Sequence, residues 1–153
     1  MVRNVDALVV DQVLVAANVA AEMTEAIIAK HTAINAIRDE KLAAGVPYTF
    51  PDVADTIQTR DEKDFRNILS RVVVGIIFAG QAITMPFRDE EDRTHQLTPE
   101  QTVAMGLIAS NTGSAIYAAA WAHKDALKAL VEGGATVTQI ESYDITIGWP
   151  DNT

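Results

Sequence analysis

The chain has 153 residues, 48% of them hydrophobic and 22% charged, with 12 Lys and Arg against 21 Asp and Glu for a net charge of −9. This composition suits one folded domain of ordinary size, rules out a disordered tail, and disfavours a nucleic-acid partner, because an acidic surface repels phosphates. With 0 cysteines there is no disulfide, no thiolate nucleophile and no zinc ribbon.

Asp6 and Asp11 interrupt the apolar start of the chain, so a cleaved secretion signal is not expected. The greasiest run, Val72 to Gly80, is shorter than the ~18–20 residues that cross a bilayer, and it reads as a core segment with no membrane insertion.

Between Val5 and Leu42 there is no Gly or Pro, and apolar residues recur at Val9, Val13, Met23, Ile27, Ile34 and Ile37, with Ala16 and Ala20 between. This 3-4 spacing predicts a long amphipathic helix and also the seam of a coiled coil, with these six residues as the candidate self-association surface. Lys30 falls on the seam, and the Val-rich stretch Val5–Val15 also suits a strand. A second apolar set, Leu8, Val15, Val19 and Ile28, lies off the seam, which makes self-association the economical reading.

Gly45 is placed for a left-handed cap and Pro47 forbids continuation, so the helix ends there. The runs 48–50 and 56–59 flank Pro51-Asp52 and predict a hairpin. Asp61-Glu62 opens a second helix, with Phe65, Ile68, Val72, Ile76 and Ala79 as its inner face and Val73, Val74 and Ile77 making it greasy nearly all round, hence central. The runs 83–88 and 93–97 bracket Asp89-Glu90-Glu91-Asp92, a second hairpin with a solvated acidic tip.

Thr98-Pro99-Glu100-Gln101 combines a capping box with a proline at the first helical position and starts a third helix, expected to reach Glu132 before Gly133-Gly134. Its packed face is expected at Val103, Leu107, Ser114, Tyr117, Trp121 and Leu127. Thr136 to Gln139 repeats the capping box for a short fourth helix, and Tyr143–Ile147 alternates as a closing strand. The fold class is therefore α+β, predominantly helical: a long N-terminal helix, two further long helices, small hairpins, and a short C-terminal helix plus strand. Residues 1–36 form an attachment arm and 37–153 a compact domain.

The residues offer little chemistry. His31, His95 and His123 lack helical metal-pair spacing, and Ser70, Ser110, Ser114 and Ser142 lie outside any nucleophile elbow. The glycines form no phosphate loop. The acidic groups Asp61, Glu62 and Asp64 and Asp89 to Asp92 read as a helix cap and a solvated turn. No catalytic residue, metal or cofactor is expected.

One resemblance covers Ile37 to Pro150. Its residues are Arg38 and Lys41 before an Ala-Gly turn, Ile57 to Asp64 leading to Asn67-Ile68, and Phe87-Arg88 with a hairpin to His95–Gln101. Tyr117, Trp121 and Lys124 follow, then Ile140–Ile145 and Gly148-Trp149-Pro150. This stretch resembles an uncharacterised domain family of tail-fibre and tail-fibre-assembly genes of tailed bacteriophages. The resemblance implies a phage-tail context, no enzyme activity, and a home in the virion after synthesis in the host cytoplasm. Three-fold association follows from the same analogy, and the partners it implies are tail-fibre or baseplate proteins. Family members often end a longer fibre polypeptide, whereas here the domain follows residues 1–36, which favours a small accessory protein. Arg38, Asp64, Trp121 and Trp149 are the candidate structural motif residues, with Asp64 expected to pair with Arg38 or Arg60.

Three rivals stand beside this reading. One is a tail-fibre assembly chaperone. Another is an enzyme that would bring Asp61, Asp64 and Asp89 into one pocket. The last is a cytosolic module that binds a partner helix in an Ala-rich groove.

Overall fold

The computed structural model describes the backbone of residues 3–151 and the side chains of residues 9 and 11–151; Leu8 of the second apolar set lies outside the described side chains. The elements in order are α1 (Arg3–Ala43), β1 (Val46–Thr49), β2 (Ala54–Ile57), α2 (Glu62–Ile77), β3 (Met85–Arg88), β4 (Thr94–Leu97), α3 (Pro99–Glu132) and α4 (Val137–Glu141). The protein is α+β and mainly helical, with two antiparallel hairpins, β1-β2 and β3-β4. The stretch Val5–Val15, compatible with a strand by composition, is helical: it continues α1 and faces no strand partner.

Contacts divide the chain into two units. The first holds the described residues up to Asn35 together with Trp121–Ile147, and the second holds Ala36–Ala120 with the residues from Gly148 onward. The arm expected at 1–36 therefore shares its unit with the last third of α3 and with α4.

In the first unit Ile34, Leu127 and Ile140 are fully buried, and Ala26 and His123 are buried as well. Lys30 donates to the carbonyl of Tyr143 at 2.7 Å, and Lys124 donates to Asn35 Oδ1 at 2.8 Å. His123 Nε2 donates to the carbonyl of Ile147 at 2.9 Å, and its Nδ1 meets the Tyr143 hydroxyl at 3.0 Å. Thr136 and Gln139 form the expected capping box at the start of α4. The expected strand at Tyr143–Ile147 is absent. Asp144 Oδ1 instead accepts from the backbone and the hydroxyl of Thr146, a local turn that replaces ladder bonds, and none of the strands pairs with this segment.

In the second unit α1 ends as the sequence requires. Gly45 has φ +72, and a Cβ there would lie 2.4 Å from Thr56 Cγ2 and 2.8 Å from Ile57 O, so only glycine fits. The buried Thr59 hydroxyl donates to the carbonyl of Leu42 at 2.7 Å, closing one orphan group of the helix end. The core gathers Phe50, Ile57, Ile68, Leu97, Met105 and Ala109 from both hairpins, α2 and α3. Thr98 and Gln101 make the expected capping box of α3, at 2.9 and 3.3 Å.

Two expected helix faces are corrected. α2 buries Ile68 and Gly75 and half-buries Phe65 and Val72, but Ile76 is 61% exposed and Ala79, Val73 and Ile77 are exposed as well, so it is not a central helix. On α3, Leu127 is buried and Val103 half-buried as expected, whereas Leu107, Ser114, Tyr117 and Trp121 are exposed, Trp121 by 61%. The packed residues are Thr102, Met105, Gly106, Ala109, Ile116 and Ala120. The cause is close approach: a Cβ on Gly106 would lie 2.0 Å from Val72 Cγ2, so α2 and α3 meet through small residues and the bulky ones turn outward.

By length and composition alone, α1 over Asp11–Ala43 and α3 would both be long enough and apolar enough to cross a bilayer. Both are much longer than the apolar run Val72 to Gly80.

Candidate functional site

The most concentrated chemistry lies where the two hairpins of the second unit face each other. His95 on β4 is buried, and its ring stacks flat on Phe50, with centroids 4.0 Å apart and planes 8° apart. Its Nδ1 is 2.6 Å from Asp52 Oδ1 in the β1-β2 turn, and its Nε2 is 2.7 Å from Asp89 Oδ2 just after β3. Arg93 donates to Asp89 from its backbone N at 2.7 Å and from Nε at 3.0 Å, bonds Asp55 on β2 through its guanidinium, and approaches Glu91 at 3.3 Å. The Glu90 N–H to Thr56 carbonyl bond, 3.2 Å, joins the hairpins through the backbone.

The electrostatics follow from this geometry. Burial pushes His95 down, but hydrogen bonds to Asp89 and Asp52 outweigh it and raise the pKa above the ordinary imidazole value. Burial likewise pushes Asp89 up, and its hydrogen bonds with His95 and Arg93 outweigh it, holding the carboxyl well below the usual range. The hydrogen bond to His95 lowers Asp52. A neutral imidazole has one N–H, whereas two carboxylate oxygens flank this ring, so the arrangement suits the imidazolium. The acidic run is therefore corrected: Asp89 is no part of a solvated tip, because its side chain is fully buried in this network.

Both His95 nitrogens are occupied by carboxylates and one ring face by Phe50. The network binds the two hairpins together. Sequence reading missed Asp52, Asp55, Asp89, Arg93 and His95 as a group. The only local signal was Asp89 and Arg93 four apart at the ends of one turn.

The acidic candidates do not converge. Asp64 and Asp89 line a cavity of about 250 Å³, while Asp61 lines a different one of about 500 Å³ with Asp39, Arg60, Glu62 and Tyr117. Asp61 caps α2 by accepting from the Asp64 N–H at 2.9 Å, and Asp64 accepts from Arg60 N and Nε at 3.0 and 2.9 Å. The Arg60 bond lowers the Asp64 pKa against a smaller upward push from burial. Arg38 is not the partner of Asp64: it pairs with Asp39 at 2.7 Å and lies over the Tyr117 ring at 5.5 Å. Among the described residues no group of three or more His, Asp or Glu is placed to hold a metal.

The six self-association candidates divide along α1. Val9 and Val13 are exposed, Met23, Ile27 and Ile37 are half-buried, and Ile34 is fully buried within its own unit. Ile34 is therefore covered by its own chain. Trp149 is half-buried near the chain end, and Lys41 donates to the neighbouring Pro150 carbonyl at 3.0 Å.

No curated protein and no solved structure matches this chain. Residues 16–147, which take in most of α1, both hairpins, α2, α3 and α4, match the family model of a domain of unknown function, DUF4376, and the chain belongs to that family.

Proposed function

We propose that the protein is a non-enzymatic structural and interaction component of a bacteriophage tail, a small tail-fibre or baseplate-associated part that self-associates through the first half of α1. The observation that carries the interaction role is the exposure of α1: every described side chain from Val9 to Glu22 is exposed, including Val9, Val13, Leu14, Val15 and Val19. An apolar helix of this kind is covered by a partner in a working assembly. Residues 4–29 carry no Lys or Arg, which favours a protein partner over an anionic lipid surface, since interfacial helices use basic residues there. The tail context rests on the resemblance of Ile37–Pro150 to tail-fibre domains.

Two measurements test this. Mass spectrometry of purified virions should find the chain, while its absence from virions and presence in infected cells would make it an assembly chaperone. Light scattering at micromolar concentration should give an oligomer, and a monomer would sink the self-association.

A further inference from the structure

We propose that residues 9–20 of α1 form a parallel three-stranded coiled coil with the same segment of two further copies of this chain. The inference rests on the self-association argued above and names its partner, register and stoichiometry. The 3-4 stripe runs unbroken through Val9, Val13, Ala16, Ala20, Met23, Ile27, Lys30 and Ile34. From Met23 onward the first unit covers it: Met23 and Ile27 are half-buried, Lys30 bonds Tyr143, and Ile34 is fully buried. Above Met23 the same stripe continues with the same period and no cover among the described residues. A period of 3.5 keeps one seam facing a partner helix only if the helices wind around each other.

A second copy fits this seam for reasons of charge. The flanking positions Gln12, Ala17 and Val19 are uncharged, so identical helices meet without like-charge repulsion. Asp11 and Asn18, seven apart, fall on the opposite side of the helix, where each copy faces water. Val9 and Val13 put β-branched residues at both kinds of seam position, a pattern that shifts preference from dimers toward trimers and tetramers, and three strands is the smaller of these assemblies. Three copies close only as a ring about a three-fold axis, which makes the helices parallel and sets Val13 against Val13.

The chain contains 0 cysteines, so single introduced thiols report cleanly. In the full chain, Val13→Cys places a thiol on the seam and Leu14→Cys places one off it; both positions are exposed and outside the core of the first unit. Sedimentation equilibrium should give about three times the chain mass. On mild oxidation Val13→Cys should form covalent pairs about tenfold faster than Leu14→Cys. Val13→Asp should return the protein to single-chain mass with an unchanged melting curve. A two-fold mass, or equal crosslinking at the two positions, overturns this arrangement and leaves self-association standing. Single-chain mass for the unsubstituted protein overturns both.

Discussion

The ammonium of Lys30, the one charged residue on the apolar stripe of α1, donates to the backbone carbonyl of Tyr143 at 2.7 Å. Lys30 is half-buried, and its head serves a carbonyl just past the end of α4. Lys30→Met keeps the stem and removes the donor. It should cost roughly 1.5–3 kcal/mol, the range for a hydrogen bond to a charged group, read as a lower thermal midpoint.

The charge network makes stability depend on pH in both directions. His95 is raised, so its contribution is complete below the ordinary imidazole value and is lost as pH rises through the raised one. Asp52, Asp64 and Asp89 are lowered, so theirs is complete above the ordinary carboxylate value and is lost as pH falls through the lowered ones. Denaturant midpoints should therefore be highest between about pH 5 and 6.5 and decline on either side. In His95→Gln the alkaline decline should flatten while the acid one remains.

Gly106→Ala tests the approach of α2 to α3. The added methyl would meet Val72 Cγ2 at 2.0 Å, and the helices must separate or Val72 must move. A loss of about 1–3 kcal/mol is expected in urea unfolding. Combining it with Val72→Ala should recover part of that loss, because the two positions share one contact.

Asp64→Asn removes the charge that Arg60 grips through its backbone N–H and its guanidinium. Stability should fall by roughly 1 kcal/mol, because Arg60 is more than half exposed and water weakens the pair. Asp61→Ala should cost a similar amount through loss of the cap on α2, and circular dichroism melts would compare the two.

Ending the chain before Gly148 removes half-buried Trp149 and the Pro150 carbonyl that Lys41 holds. A loss of roughly 2 kcal/mol, or about 4–8 °C in melting temperature, is expected. An unchanged melt would make Gly148-Trp149-Pro150 a surface element.

The elements legible in the sequence were those set by near neighbours. Asp61, Thr98 with Gln101, and Thr136 with Gln139 each announce a helix start within four residues, and Gly45 announces an end. The packed face of α3 was misread because spacing rules weight bulk. Tyr117 and Trp121 drew the face toward themselves, while the core took Gly106, Ala109 and Ala120, which let helices come close. The closing strand failed for another reason: Ile145 and Ile147 alternate correctly, but a strand needs a ladder, and among the described residues the strands pair only within the hairpins β1-β2 and β3-β4. The His95 network was invisible because its members come from two hairpins, and nothing in either hairpin's local pattern names the other.

Asp52 and His95 stand 43 positions apart, and the whole of α2 lies between them in the chain. Their bond thus closes a long loop, whose entropic cost is met only once both hairpins have formed. Native-state hydrogen exchange should accordingly show the β1-β2 and β3-β4 amides and the inner amides of α2 opening together as one cooperative unit. Asp52→Asn should split that unit, letting the first hairpin exchange ahead of α2 and the second hairpin.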